Sequence, residues 1–402
     1  MRDALLLLAG IPCGTAVGFS LFSIWCAAEF FRGKKEIAES REFLPAVSIL
    51  KSLCGLDRGT YENLASFCRQ DYPKFQLLLG VHDERDPVIP VLRRVVRDFP
   101  QVDIQIIPCG RTLGANPKVS NLVQMEEKAE HPLLLVCDSD VRVGRDTLRR
   151  LVRPIADPAV GAVTCMCRSL SKGWIGTLEA LREATEFCPG VLAANYLEGM
   201  KFGLGSAILV RREALERIGG FASIVDYLAD DFLLGNRISK AGTTVVLSEV
   251  VVEHELSLGS LRALVQRQIR WNRGIRICRP WGYRGLLFTY GVPMSLALLL
   301  AGGGSAFAWG MLGAVWITRL AMAHIVGAGH LHDRAARKFL WLVPLQDLFS
   351  FGLWLSGLFG YRISWRGHSY RLTKAGKLIP LEADAPALSP TYDNAPLAAA
   401  SQ

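Results

Sequence analysis

Asp138 and Asp140 stand one residue apart in "LLLVCDSDVRV", directly after five apolar residues. Two carboxylates on one short loop suit a hard divalent cation that leaves part of its coordination to phosphate oxygens and water. The same residue types also make ordinary turns, because Asp and Ser bond back to nearby backbone. Three further groups recur along the chain: Asp83 in "HDERDP", the pair Asp230 and Asp231 in "LADDFLLG", and Arg267, Arg270 and Trp271 in "RQIRW". Each has a plain structural alternative. Asp83 suits a turn, the acid pair suits the first turn of a helix, and the basic helix suits a face resting on lipid head groups.

The elements that must hold these groups alternate. "AVSILK", "FQLLLGV", "VDIQIIP" and "PLLLVC" read as strands, and the segments between them carry helical spacing. Continuous apolar strands joined by helices predict an α/β domain with a mainly parallel sheet covered on both faces. Such sheets bind ligands beyond the carboxyl ends of their strands, where Asp83 and Asp138 lie. The second half is less regular. "GLGSAILVRR" and "TTVVLS" suit strands, "EALERIGGF" a short helix, "DYLADDFLLGNRISKAG" a helix entered through acids, and residues 260–276 a basic helix started by Ser260.

Taken in order, Asp83, Asp138-x-Asp140, the acid pair and the RxxRW helix resemble the processive-type GT-A glycosyltransferases. With "VSILKSLCG", "GANPKVSNL" and the tail "ISWRGHSYRL", the chain is similar to glycosyltransferase family 21. That family comprises the ceramide glucosyltransferases and bacterial relatives that glycosylate hopanoids. Ser52 departs from it, since relatives usually carry Pro there. The resemblance implies a GT-A (Rossmann-like) fold and transfer of a hexose from a UDP-sugar donor, with inversion, to the hydroxyl of a membrane lipid. Asp138 and Asp140 would hold Mg²⁺ or Mn²⁺ on the diphosphate, and Asp83 would contact the uracil or ribose. Lys51 and Lys118 would contact the nucleotide or its phosphates. Asp231 would be the base, with Asp230 orienting it or raising its pKa. Arg267, Arg270 and Trp271 would lie over the donor diphosphate. The acceptor is expected to be ceramide or a hopanoid polyol. A polysaccharide synthase and a non-catalytic nucleotide-sugar sensor share the motifs and stay open as alternatives. His254 reads as structural, and Arg142 has no assigned part.

The 402 residues are half hydrophobic and the mean hydropathy is +0.24, with the apolar residues gathered toward the two ends. Residues 4–31 carry one charge, Glu29, and "RGKK" follows. This predicts a retained anchor with Arg32, Lys34 and Lys35 on the cytoplasmic side; a cleaved signal peptide is the alternative. No charge occurs between Arg284 and Arg319, which suits a hairpin turning at "AGGGS". Residues 339–360 suit a span, a re-entrant element or an interfacial helix. A re-entrant segment would leave the basic tail on the catalytic side, in keeping with the positive-inside rule.

The expected order is an anchor (1–32), a nucleotide-sugar half (33–160), an acceptor half (161–280), membrane segments (281–360) and a basic tail with a disordered end (361–402). The net charge of +9 sits largely at membrane edges, favouring the lipid bilayer over nucleic acid. Ten cysteines without a CxxC pair point to reduced, packed thiols rather than a zinc site. The expected location is the bacterial inner membrane, with the catalytic domain cytoplasmic.

Overall fold

The computed structural model describes residues 2–32, 43–170, 173–255 and 260–381. Lys34, Lys35 and the Pro/Ala-rich stretch 382–402 lie outside the described residues.

Eight strands form one sheet in the order β3-β2-β1-β4-β7-β6-β8-β5. They are β1 (Val47–Leu53), β2 (Phe75–Val81), β3 (Asp103–Pro108), β4 (Leu133–Cys137), β5 (Val141–Arg142), β6 (Val160–Ser169), β7 (Ala207–Arg211) and β8 (Thr244–His254). The pairings of β1 with β2 and β4, of β2 with β3, and of β6 with β8 are parallel; β7 and the short β5 run antiparallel to their neighbours. The apolar runs are buried on both faces. Leu50, Leu78, Leu134 and Val136 pack in one core, and Ile49, Leu77, Leu79 and Leu135 in the other.

Two stretches were not expected. β6 is a buried ten-residue strand through "VGAVTCMCRS". Its Gly, Ala and Cys lack the β-branched pattern that marks a strand, and its place between β7 and β8 supplies what local propensity does not. The second is a helical stretch from Gly173 to Glu198, interrupted by a π turn at Glu183–Phe187. It packs between the sheet and the apolar helices, touching the N-terminal helix and the segment Ala323–His330.

Two helices are long and apolar enough to cross a membrane, Leu7–Arg32 and Ala306–His330. The expected hairpin is present. Helix Gly291–Ala301 turns through Gly303 and Gly304, both at positive φ, into helix Ala306–Met322. Helix Gly291–Ala301 and the segment Pro280–Thr289 before it meet at a 55° bend. The last apolar helix, Val343–Gly357, has 15 residues, short of the roughly 20 needed to span a bilayer.

The tail folds into a three-stranded sheet, β9 (Arg362–Trp365), β10 (His368–Leu372) and β11 (Leu378–Pro380). It packs on the catalytic domain. The Leu228 amide donates to the Gly376 carbonyl at 3.1 Å, and the Leu378 amide to the Asp226 carbonyl at 2.7 Å. Since the two sheets touch, they share one side of any membrane, and the apolar segments between them cross it an even number of times. Arg273 and Arg276 of the basic helix donate to backbone carbonyls at Phe359 and Gly360, so part of this charge ties the tail to the helix.

Candidate active site

The site lies where β1, β2 and β4 end. After β4 the chain turns, and the Lys51 ammonium braces the turn from below, donating to the Asp138 carbonyl at 2.8 Å and the Val141 carbonyl at 3.4 Å. Lys51 is fully buried and lies 4.0 Å from the Phe67 ring centroid. Burial lowers its pKa to about 8, although Asp140 and Asp138 act to raise it. It therefore supports the acid loop and does not line the cleft. Arg142 has a similar part. It donates to Glu255 at 2.7 Å and to the Asn63 side-chain oxygen at 3.2 Å, tying β5 to the helix Thr60–Cys68 and to the residue after β8.

Lys118 joins the acids. Asn116 caps the helix Pro117–Glu126 by accepting from the Val119 amide, and Lys118 follows in the first turn. Its Nζ lies 2.7 Å from Asp138 Oδ1 and 3.0 Å from Asp230 Oδ2. Burial opposes its charge, but Asp138, Asp230 and Asp231 outweigh this and raise its pKa well above the ordinary value. Asp230 and Asp231 open the helix Asp230–Lys240, as expected. Burial first, and then the Asp230 charge, push the Asp231 carboxyl up to about 6. Asp231 Oδ1 accepts from the Phe232 amide at 2.7 Å. Its Oδ2 faces Gly205, where an added Cβ would lie 2.8 Å from it and 3.5 Å from Asp138 Oδ2. A bare glycine thus keeps the space between the two carboxylates open.

Asp140 has a different partner. Its Oδ2 meets His254 Nε2 at 2.8 Å, while its Oδ1 is buried with no hydrogen-bond partner among the described residues. Burial opposes its ionisation, but the charges of His254 and Arg267 hold its pKa well below the usual carboxylate range. Burial lowers the His254 pKa, yet Asp140 raises it further and the net shift is upward. The unpartnered Asp140 oxygen and the Asp138 oxygen at the glycine gap are hard donors, and they fit Mg²⁺ or Mn²⁺. A second convergence, of Cys167, Glu183 and His254 within 4.8 Å, is closed by hydrogen bonds: Cys167 Sγ donates to Glu183 at 2.6 Å and Ser169 Oγ donates to its other oxygen. All ten cysteines are free thiols.

The helix Leu261–Cys278 starts at Ser260, whose Oγ accepts from the Ala263 amide. The Arg267 guanidinium lies 4.5 Å from the Trp271 ring centroid, and its NH2 is 3.3 Å from His254 Nε2. Its Nε is buried without a hydrogen-bond partner among the described residues. Arg270 stacks over Trp365 of the tail at 5.3 Å. Burial, with Arg267 and Arg366 adding to it, lowers the Arg270 pKa to about 10. Asp83 is exposed at the end of β2 and accepts from the Arg85 amide at 2.8 Å.

Three participants escaped the sequence reading. His254 reads as structural from sequence, yet it meets Asp140. Asp57 lies close enough to Asp140 for the two charges to interact; burial and that charge raise its pKa. Arg366 reaches the cleft from the tail. Residues Trp365 and His368 pair across a two-residue loop, and Arg366 and Gly367 both have positive φ, at 48° and 82°. This is the turn whose twist matches paired strands. It puts Arg366 against the Cys54 carbonyl, within electrostatic reach of Asp57 and Asp140. The "RG" dipeptide between alternating residues was the available signal.

A mostly parallel sheet bearing a DxD loop at a strand end, with an acid pair across a glycine gap, defines the GT-A glycosyltransferase class. A mannosyltransferase from Pyrobaculum calidifontis, solved with GDP-Man and Mn²⁺, shares the fold: TM-score 0.54, 20% identity, 89% of this chain and 99% of that one. The sequence profile of glycosyl transferase family 21 matches residues 11–378, and the chain belongs to that family. Ceramide glucosyltransferase 1 of Caenorhabditis elegans is 24% identical over 346 residues, 83% of this chain and 73% of that protein. Ceramide glucosyltransferase 3 of the same organism is 28% identical over 231 residues, 57% of this chain; this match spans half of that relative's length.

Proposed function

We propose that the chain transfers a hexose from a UDP-sugar to a hydroxyl of a membrane lipid, ceramide or a hopanoid polyol, at the cytoplasmic face of a bacterial inner membrane. The observation that carries this reading is the glycine gap at Gly205, flanked by Asp138 Oδ2 and by Asp231 Oδ2. A sugar carbon in that gap has a phosphate-side acid on one flank and a base on the other.

Asp231 takes the proton of the lipid hydroxyl. The freed oxygen forms a bond to the anomeric carbon as the bond from that carbon to the diphosphate oxygen breaks, and UDP leaves with the electron pair. Attack from the opposite face inverts the centre, through an oxocarbenium-like transition state. A carboxyl raised to about 6 is a stronger base than an ordinary aspartate and is still largely ionised at neutral pH. A divalent cation held by Asp138 and Asp140 would supply Lewis-acid stabilisation of the leaving diphosphate. Arg267, with its unpartnered Nε, and Arg270 would bind the phosphates. Lys118 keeps Asp138 and the acid pair in register. The similarity to ceramide glucosyltransferases supports a sphingolipid acceptor, and the Mn²⁺ in the mannosyltransferase complex supports a divalent cation.

The test is to incubate the full-length chain in vesicles with radiolabelled UDP-glucose and ceramide or bacteriohopanepolyol. Label in an organic-extractable glycolipid, abolished by EDTA and by Asp231→Asn, is the expected result. A labelled water-soluble polymer, or transfer that survives both treatments, would overturn the reading.

A further inference from the structure

A cavity of about 400 Å³ lies between the helices of residues 173–198 and the apolar helices, lined by Phe19, Gly190, Ala193, Tyr290 and Met322 among others. Three carboxylates and two guanidinium groups also line it. Asp347 is paired with Arg319 at 2.6 Å, and Glu198 with Arg279. Glu186, carried on the π turn, remains. One of its oxygens accepts from the Tyr290 hydroxyl at 3.1 Å, and the other is buried with no hydrogen-bond partner among the described residues. A buried carboxylate oxygen in this state calls for a donor.

Two chains of side-chain contacts join the cavity wall to the reacting groups. Arg279, at its rim, lies 5.5 Å from the Phe202 ring centroid. Phe202 stacks on Phe232 at 5.8 Å, and Phe232 follows the base Asp231. In the second chain, Arg182 sits one helical turn before Glu186, and its guanidinium lies 5.3 Å from the Trp271 ring centroid.

We infer that this cavity is the acceptor site. It takes a lipid with an uncharged, hydroxyl- or amide-bearing head, which donates to the free Glu186 oxygen while its chain runs out between the apolar helices. The inference rests on the lipid-acceptor reading given above and adds where the lipid binds and what head it carries. A phosphate head is disfavoured, because it would bring an anion to the Glu186 carboxylate, whose nearby cations Arg182 and Arg319 are already paired with Glu179 and Asp347. A neutral donor meets the one unmet requirement.

Gly190 provides a clean test. A Cβ built there meets nothing within 4 Å and Gly190 lines the cavity, so Gly190→Leu starts its side chain in open space and takes up cavity volume, while Glu186→Gln keeps its shape and replaces the acceptor-only carboxylate. In vesicles with UDP-glucose and ceramide or bacteriohopanepolyol, both changes should raise the acceptor KM by about tenfold or more with donor KM unchanged. An unchanged acceptor KM in Gly190→Leu would overturn the site. A second readout does not depend on turnover. Diazirine-bearing ceramide and diazirine-bearing hopanepolyol are photolysed with the wild-type chain, alongside diazirine-bearing phosphatidylglycerol. Labelling within residues 185–198 by a neutral probe and not by phosphatidylglycerol supports the site. Labelling only elsewhere, or equal labelling by phosphatidylglycerol, overturns it. If the wild type transfers no sugar but the neutral probe labels 185–198, the catalytic reading fails while the lipid site stands.

Discussion

Lys118 Nζ lies 2.7 Å from the Asp138 carboxylate, and its other side is 3.0 Å from Asp230. One cation therefore joins the loop after β4 to the start of the helix that bears Asp231. This contact sets the sign of the first prediction.

Transfer needs Asp231 ionised, so kcat/KM should fall as pH drops through about 6. The Asp230 charge raises the Asp231 pKa and the Lys118 charge lowers it. Asp230→Asn should therefore move the acid limb to lower pH and Lys118→Met to higher pH. A pH–rate profile of each variant reads the two opposite shifts. Limbs that stay in place would put the base elsewhere.

His254 meets Asp140 at 2.8 Å, as a residue that orients a metal-binding carboxylate would. His254→Ala should raise the Mg²⁺ or Mn²⁺ concentration needed for half-maximal rate by about tenfold, the usual cost of losing such a partner. Metal titration of the rate checks this; a purely structural histidine would lower stability and leave the titration unmoved.

Arg366→Ala should raise the KM for the UDP-sugar by roughly 10- to 100-fold, the range for losing a hydrogen bond to a charged group. Gly367→Val should act in the same direction. Its φ of 82° is strained for valine, while a Cβ there meets nothing within 4 Å, so any effect comes through the turn. Steady-state kinetics with varied donor decides it.

The buried Arg319 and Asp347 pair joins helix Ala306–Met322 to helix Val343–Gly357. Arg319→Met alone leaves a buried carboxylate and should cost about 3–5 kcal/mol, whereas Arg319→Met with Asp347→Leu should recover most of it. Thermal unfolding in detergent compares the two.

The first half of the domain was readable because each strand there is an uninterrupted apolar run of the length a buried parallel strand needs. β2 ends at Val81 and β4 at Cys137, as their sequences suggest. The motif acids were readable because strand ends and helix starts hold them. β6 and residues 173–198 were not, since small residues and glutamates carry no strand or helix periodicity until the neighbouring sheet and apolar helices bury them. Lys51 shows the limit of carrying a role by position alone. A lysine at the end of β1 looks like a phosphate ligand, yet its ammonium is enclosed beneath the loop it was expected to assist.

Arg366 lies beyond all the apolar helices in chain order. During translation the ribosome emits every motif acid before the first of the C-terminal apolar helices, but the arginine over the cleft comes only after the last. The cleft therefore gains this charge only after the apolar segments have been synthesised.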